Sequence, residues 1–137
     1  MSVDWIMLVP SIIFTRIKTN FSEKIKTKHN MTNNNFSTSS KSDLDAVFPF
    51  VYVKSLTASE QGRDLQGTSI NGALFTFQIE VIDNKKQQNA REVMGEIIRI
   101  MKEMGFENNS LPFFEDTNDN THRIVARFRK MMADEDW

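Results

Sequence analysis

The sequence holds few side chains of the kinds that perform catalysis. It has no cysteine and two histidines, His29 and His122, so cysteine nucleophiles, thiolate metal sites and disulfides are excluded. A serine or threonine nucleophile needs a nearby base, but His29 lies in a lysine-rich segment and His122 opens a predicted strand. We interpret both histidines as solvated surface residues. We therefore predict that the chain is not an enzyme and has no catalytic residue.

Phosphate-binding and metal-binding patterns are incomplete. The glycines between residues 62 and 72 have neither the P-loop spacing nor that of a dinucleotide-binding turn. Glu115, Asp116 and Asp119 carry the oxygen ligands that calcium prefers. They lack the full pattern of a calcium-binding loop, so a solvated acidic turn is the favoured interpretation. We predict no cofactor and no bound metal.

The last predicted strand carries four basic residues and no acidic one. Arg123, Arg127 and Arg129 lie on one face of a predicted strand, because side chains alternate between the two faces of a sheet. Cross-strand pairing with Glu80 and its neighbours is the favoured interpretation; a stripe facing a phosphate backbone or an acidic subunit is the alternative. The net charge of −1 excludes a basic field over the whole molecule.

The N-terminal segment is apolar but is not a membrane anchor. Trp5 to Phe14 is interrupted by Pro10 and is shorter than the roughly 20 residues that span a bilayer. Asp4 stands where a secretory signal would carry a base. We predict no signal peptide and no membrane contact, an N-terminal arm over residues 1–9, and a helix from Pro10 to near His29.

The remaining pattern predicts one domain over residues 1–137. Apolar residues alternate over 74–82, as in a strand with one buried face, and share one arc over 85–104, as in an amphipathic helix. Further strands are predicted over 35–39 (an edge strand), 48–56 and 121–131, with a short strand near 111–114. A flexible loop is predicted over 57–73 and a tail over 132–137. The fold class is α+β: an antiparallel sheet of about four strands packed against two amphipathic helices, in the order α-β-β-β-α-β with a further strand optional.

The apolar content exceeds what these predicted core faces hold. The chain has 11 phenylalanines and 8 methionines, and several of them fall at sheet edges, in loops and at the chain end. These are Phe36, Phe48, Phe50, Phe113, Phe114, Met131 and Met132. We therefore predict that the protein is one subunit of a larger assembly.

Four runs of sequence carry a resemblance to a known family. They are FPFVYV from Phe48, GRDLQGTSINGALFTFQIEVIDN from Gly62, VMGEIIRIMKEMGF from Val93, and RIVARFRK from Arg123. Together they resemble the tail terminator (tail completion) proteins of long-tailed bacteriophages, over nearly the whole chain. The resemblance implies a hexameric ring that caps the tail tube, stops its polymerisation and offers a docking face to the head connector or stopper. It also implies assembly in the host cytoplasm, a place in the virion neck, and a lumen through which double-stranded DNA passes without specific binding.

Two groups of residues are expected to serve this assembly. The predicted interface consists of Gly62, Arg63, Asp64, Leu65, Gln66, Gly67, Phe48, Phe50, Phe113 and Phe114. Arg123, Arg127 and Arg129 are expected to line the lumen or to face a neighbouring subunit. Three alternatives stay open: another neck component such as the stopper, a tail-tube subunit, or a small nucleic-acid-binding α+β domain.

Overall fold

The computed structural model describes residues 4–39, 47–56, 59–63, 70–115 and 121–133. Along these segments two helices are followed by a short 3₁₀ turn at Asn33–Asn35, four strands, a third helix and two further strands. The helices are α1 (Asp4–Asn20), α2 (Glu23–Lys28) and α3 (Gln87–Glu103). The strands are β1 (Phe36–Ser37), β2 (Phe50–Ser55), β3 (Ser59–Arg63), β4 (Ile70–Asp83), β5 (Glu107–Phe114) and β6 (His122–Met132).

These strands form one sheet with helices on one side, so the predicted α+β class is confirmed. The strand order is β1-β2-β4-β6-β5, and β3 pairs with β4 beyond the end of β2. Six strands are present in the described residues instead of about four, and the sheet is mixed because β1 runs parallel to β2. The count was too low because β3 is a polar SEQGR segment without alternating hydrophobicity.

Strand β4 is the centre of the sheet and is longer than its apolar pattern indicates. Phe75, Phe77, Ile79 and Val81 are all buried on the helix side, as their alternation predicts. The strand continues back to Ile70 and pairs there with β3, so the predicted loop over 57–73 is wrong for 59–63 and 70–73. Residues 57, 58 and 64–69 lie outside the described part.

The β3–β4 hairpin extends past its neighbour in the sheet. Strand β6 pairs with β4 only from Ala73 onward. Ile70 pairs with Arg63 of β3 instead. The paired segments 61–63 and 70–72 therefore lie beyond the part of β4 that pairs with β6.

Helix α1 begins six residues earlier than the sequence pattern indicates. Trp5, Val9, Ile13 and Ile17 are all buried and recur at intervals of four, which keeps them on one helix face. Pro10 therefore lies inside the helix, where packing of this face offsets the hydrogen bond that proline cannot donate. The predicted arm over 1–9 is wrong from Asp4 onward; residues 1–3 are outside the described part.

The first helix also ends earlier than predicted. A break at residues 21–22 separates α1 from α2, so the predicted continuous helix to His29 is two helices. Phe21 turns inward at the break and meets Phe36 edge to face, with ring centroids 5.3 Å apart. Burial of Phe21 explains why the chain bends there.

Helix α3 packs its apolar face on β4 and β6, close to the predicted bounds. Asp83 ends β4, and its carboxylate accepts hydrogen bonds from the backbone N–H groups of Lys85 and Lys86 at 3.0 and 2.9 Å. Gly105 follows the helix with φ of 91°, a left-handed conformation that suits glycine at a helix C-terminus. The sheet and the helices thus enclose a single core.

Replacing Ile97 with alanine tests this packing. Ile97 is fully buried on α3, so Ile97→Ala should lower the free energy of unfolding by about 2–5 kcal/mol and favour insoluble protein. The exposed Arg91 of the same helix provides the control, and Arg91→Ala should change stability by no more than about 0.5 kcal/mol. Urea unfolding of both variants measures the difference. Equal stabilities would show that this face of α3 is not buried as described.

Candidate interaction surface

The face of the sheet that points away from the helices carries the three arginines. Arg123 Nη1 lies 3.0 Å from Glu80 Oε1, and the Glu80 side chain is buried. Arg127 Nε donates a hydrogen bond of 2.9 Å to Gln78 Oε1 on the adjacent strand. Cross-strand pairing, the favoured interpretation, is therefore confirmed for Arg123, and Arg127 is held by a neutral partner.

Arg129 differs from the other two arginines. Its side chain is exposed and forms no hydrogen bond or ion pair within the described residues. Thr76 and Glu107 are its partners across the ladders, and it borders an open cleft together with Met131. Arg129 is therefore the arginine of this face without a described side-chain partner, while Arg127 is also exposed and keeps its charge beside a neutral amide.

The outer strand β5 carries two exposed large apolar side chains. Leu111 is 76% exposed and Phe113 is 46% exposed, and no described strand pairs with the outer edge of β5. The neighbouring Phe114 points the other way and packs partly buried against the core. Phe113 therefore lies on the surface, as a predicted interface residue should, whereas Phe114 contributes to the subunit interior.

Several phenylalanine and methionine side chains that the sequence places outside the core are buried or half-buried. Phe50 is 1% exposed, so its assignment to an interface is wrong, and Phe48 is half-buried. Phe36 and Met132, which no predicted core stripe held, are buried in the core. Short strands such as β1 give too little alternation to reveal which side chain points inward. Met131 remains half exposed.

The predicted interface loop is described at its beginning only. Gly62 and Arg63 belong to β3, with Arg63 opposite Ile70. Asp64, Leu65, Gln66 and Gly67 lie outside the described residues. The interface prediction for this loop therefore stays a prediction.

His29 is not the solvated residue that the sequence suggests. Its side chain is 6% exposed, and its Nε2 lies 2.8 Å from Glu92 Oε2. Lys28 Nζ donates to the other oxygen of Glu92, also at 2.8 Å. The hydrogen bonds from Lys28 and His29 lower the pKa of the Glu92 carboxyl to about 2. This cluster connects α2 to α3, which gives His29 a structural contact.

His122 is also partly withdrawn from solvent. It is half-buried, lies opposite Asp83 in the β4–β6 ladder, and its Nδ1 atom is shielded without a hydrogen-bond partner among the described residues. The prediction of a fully solvated residue is wrong here too. Neither histidine is described in contact with a serine or threonine hydroxyl.

A second carboxylate joins the first helix to the third. Glu96 is buried and accepts hydrogen bonds from the Ser22 backbone N–H at 2.7 Å and from Arg99 Nε at 2.7 Å. The Arg99 hydrogen bond lowers the pKa of Glu96. Arg99 also reaches the carbonyl of Asn20. Glu96 and Arg99 fall outside the apolar arc of α3 in the sequence, so the pattern predicts that both face solvent. It does not reveal the break between α1 and α2, which these two residues contact.

The described residues contain neither a cluster of metal ligands nor a membrane-spanning helix. No three of their histidine, aspartate and glutamate side chains cluster closely enough to coordinate a metal. Glu115 is exposed, while Asp116 and Asp119 lie outside the described part. None of the helices in the described segments has the length and apolarity needed to cross a membrane.

Comparisons with known proteins add no relative. No protein-family model matches the chain, and no curated protein matches it significantly.

The Glu92 cluster predicts a specific pH dependence. A carboxyl whose pKa falls from 4.5 to about 2 on folding contributes stability above pH 4.5 that is lost as the pH falls towards 2. Glu92→Gln removes this titration, so its free energy of unfolding should decline less steeply over that range than that of the unaltered protein. Glu107→Gln, at an exposed carboxylate without a described ion pair, should keep the original profile. Urea unfolding at a series of pH values makes the comparison; a profile unchanged by Glu92→Gln would contradict it.

The arginines should differ in their contribution to stability. Arg123→Ala leaves the buried Glu80 carboxylate without its cation, which should cost about 1–3 kcal/mol. Arg129→Ala removes an exposed side chain and should change stability by no more than about 0.5 kcal/mol. Thermal or urea unfolding of the two variants measures both values, and a larger loss in Arg129→Ala would reverse the assignment.

Proposed function

We propose that the protein is a structural virion subunit of a tailed phage or prophage, a tail terminator without catalytic activity. In this role six copies form a ring on the last ring of the tail tube. The ring stops tube polymerisation and provides the face to which the head connector or stopper docks. It is assembled in the host cytoplasm and stays in the neck of the virion.

The observation that carries the proposal is the exposed apolar edge of the sheet. Leu111 and Phe113 stand on the outer strand β5, beyond which no described strand pairs. Soluble monomers seldom leave large apolar side chains grouped on a sheet edge, because such an edge promotes association. A protein that works as one copy in a ring has a use for this edge, since a neighbour covers it.

The projecting β3–β4 hairpin supports the same role. Its end extends beyond β6, and the residues that follow Arg63 belong to the segment GRDLQGTSINGALFTFQIEVIDN, which carries part of the resemblance to tail terminators. A hairpin that leaves the body of its own subunit is suited to contact an adjacent subunit or the tube.

The charge arrangement of the bare sheet face is compatible with a DNA conduit. DNA passing through a lumen needs weak attraction, because phosphate contacts from many cations would hold it. Glu80 neutralises Arg123, so this face is less basic than its sequence suggests. The same pairing makes the nucleic-acid-binding alternative weaker than the terminator.

Deletion of the gene in its phage or prophage tests the proposal. Without a terminator, tails should grow to irregular and excessive lengths beside full heads, as seen by electron microscopy of lysates. Supplying the unaltered gene in trans should restore uniform tails, and so should the Arg91→Ala variant as a matched control. Tails of normal length in the deletion would rule out the terminator.

The same deletion separates the alternatives. Loss of a stopper should leave uniform tails that do not join heads, and loss of the tube subunit should leave no tails. A nucleic-acid-binding domain should instead leave particle morphology unchanged, and the purified protein should bind DNA with strong salt dependence.

A further inference from the structure

A groove lies on the helix side of the sheet, at the end opposite to β5. Its volume is about 510 Å³, within the range of pockets that bind apolar groups. It runs between α1 and the C-terminal half of β2. Its principal lining residues are Met7, Pro10, Ser11, Phe14, Val53 and Lys54.

The groove has no partner within the described subunit. Strand β1 covers β2 only at Val51 and Tyr52, so the segment from Val53 to Ser55 has one edge without a described strand. Met7, on the margin of the groove, is 71% exposed. An apolar margin this open indicates that another surface covers it in the assembly.

Strand β5 presents two exposed apolar side chains of a kind that an apolar groove can accept. Leu111 and Phe113 are both exposed on β5, with Pro112 between them. Proline fixes the local backbone and offers no N–H, and register shifts interrupt β5 between Asn108 and Phe113. Continuous pairing with another strand is therefore disfavoured along this edge. Insertion of the Leu111 and Phe113 side chains into an apolar groove does not need such pairing.

One exposed charge beside each surface differs in sign, Lys54 at the groove and Glu115 at the end of β5. Lys54 lines the groove and is exposed, and Lys18 Nζ lies 4.6 Å from the centroid of the Phe14 ring that also lines it. Glu115 is exposed just beyond Phe113 on the other surface. Neither Lys54 nor Glu115 forms an ion pair with a described residue. Unpaired charges of opposite sign at the ends of two apolar patches favour one mutual orientation.

We propose that Leu111 and Phe113 of one copy insert into the α1–β2 groove of the next copy, with Glu115 close to Lys54. The two surfaces lie at opposite ends of the strand order, so the contact is heterologous, and its repetition closes a ring when the rotation permits. Strand β5 of one copy then lies over the α1–β2 groove of the next copy, so that the sheets of neighbouring copies overlap. This contact deepens the proposed function, since it supplies the subunit interface of the ring.

Cross-linking tests the contact directly, because the chain has no cysteine of its own. A Phe113→Cys protein is mixed with a Ser11→Cys protein at high concentration, and a short thiol-reactive cross-linker is added. Hetero-linked dimers should exceed either homo-linked dimer several-fold, and the double variant should give a ladder of higher oligomers. The control pair, Phe113→Cys with Lys102→Cys, places the second thiol on the exposed end of α3 and should give only background.

A charge exchange tests the same contact without an added reagent. Lys54→Glu and Glu115→Lys should each weaken self-association several-fold in analytical ultracentrifugation, and the double exchange should restore it. Leu111→Asp and Phe113→Asp should each weaken it by roughly tenfold or more. Lys102→Glu, the matched exposed exchange, should have no effect. Circular dichroism of every variant confirms that the fold is retained.

The outcomes separate this contact from the proposed function. A monomer at high concentration, or oligomers without the Ser11–Phe113 cross-link, would overturn the contact. Cross-linking of the Ser11→Cys thiol to a different protein in assembled particles would overturn it as well, because the groove would then hold a partner segment. Overlong tails in the gene deletion would still support the terminator in those cases. Normal tails beside a positive cross-link would leave the contact standing and refute the terminator.

Discussion

The structure depends on the alternation of side chains along β4. This strand pairs with β2 and β3 on one side and with β6 on the other. Its inward residues meet both α1 and α3, through contacts such as that of Phe75 with Trp5. A shift of one residue in its pairing would turn the whole apolar set outward. The position of every other element, including the exposed strand β5 and the arginines of β6, therefore follows from the register of β4.

The elements with strong periodicity could be predicted from the sequence. The strand around Phe77 and the helix around Ile97 have many apolar residues in one period, so class, order and core face follow from simple patterns. The sequence pattern does not indicate the start of α1, because proline is common in the first turn of a helix and Pro10 therefore marks a boundary. Trp5 and Val9 nevertheless continue the buried stripe. Strand β3 was missed because a polar strand has no hydrophobic signal and depends on its partner in the sheet.

The candidate surface was predictable only in part, for a related reason. Arg123 occupies a strand whose alternation shows which face each side chain takes, whereas the sequence of β5 has no such alternation, so Phe113 and Phe114 could not be told apart. Phe50 lies next to Pro49 at a strand end, where sequence gives no sign of which neighbour buries it. The contacts of His29 with Glu92 and of Ser22 with Glu96 join residues more than sixty positions apart. Long-range polar contacts of this kind depend on the angle between helices, which no local pattern contains.

The helices of the described segments cover one side of the sheet, and this asymmetry has a consequence at the level of an assembly. Rotational symmetry gives every copy the same orientation relative to the axis, so any bare sheet face is repeated around the ring. In the proposed ring, the Arg123–Glu80 pair would be present once per copy. A single codon change that removes Glu80 would add an uncompensated positive charge at every repeat at the same time. Selection on such a face would act on the summed electrostatic potential of the ring, and would make individual charges on it slow to change.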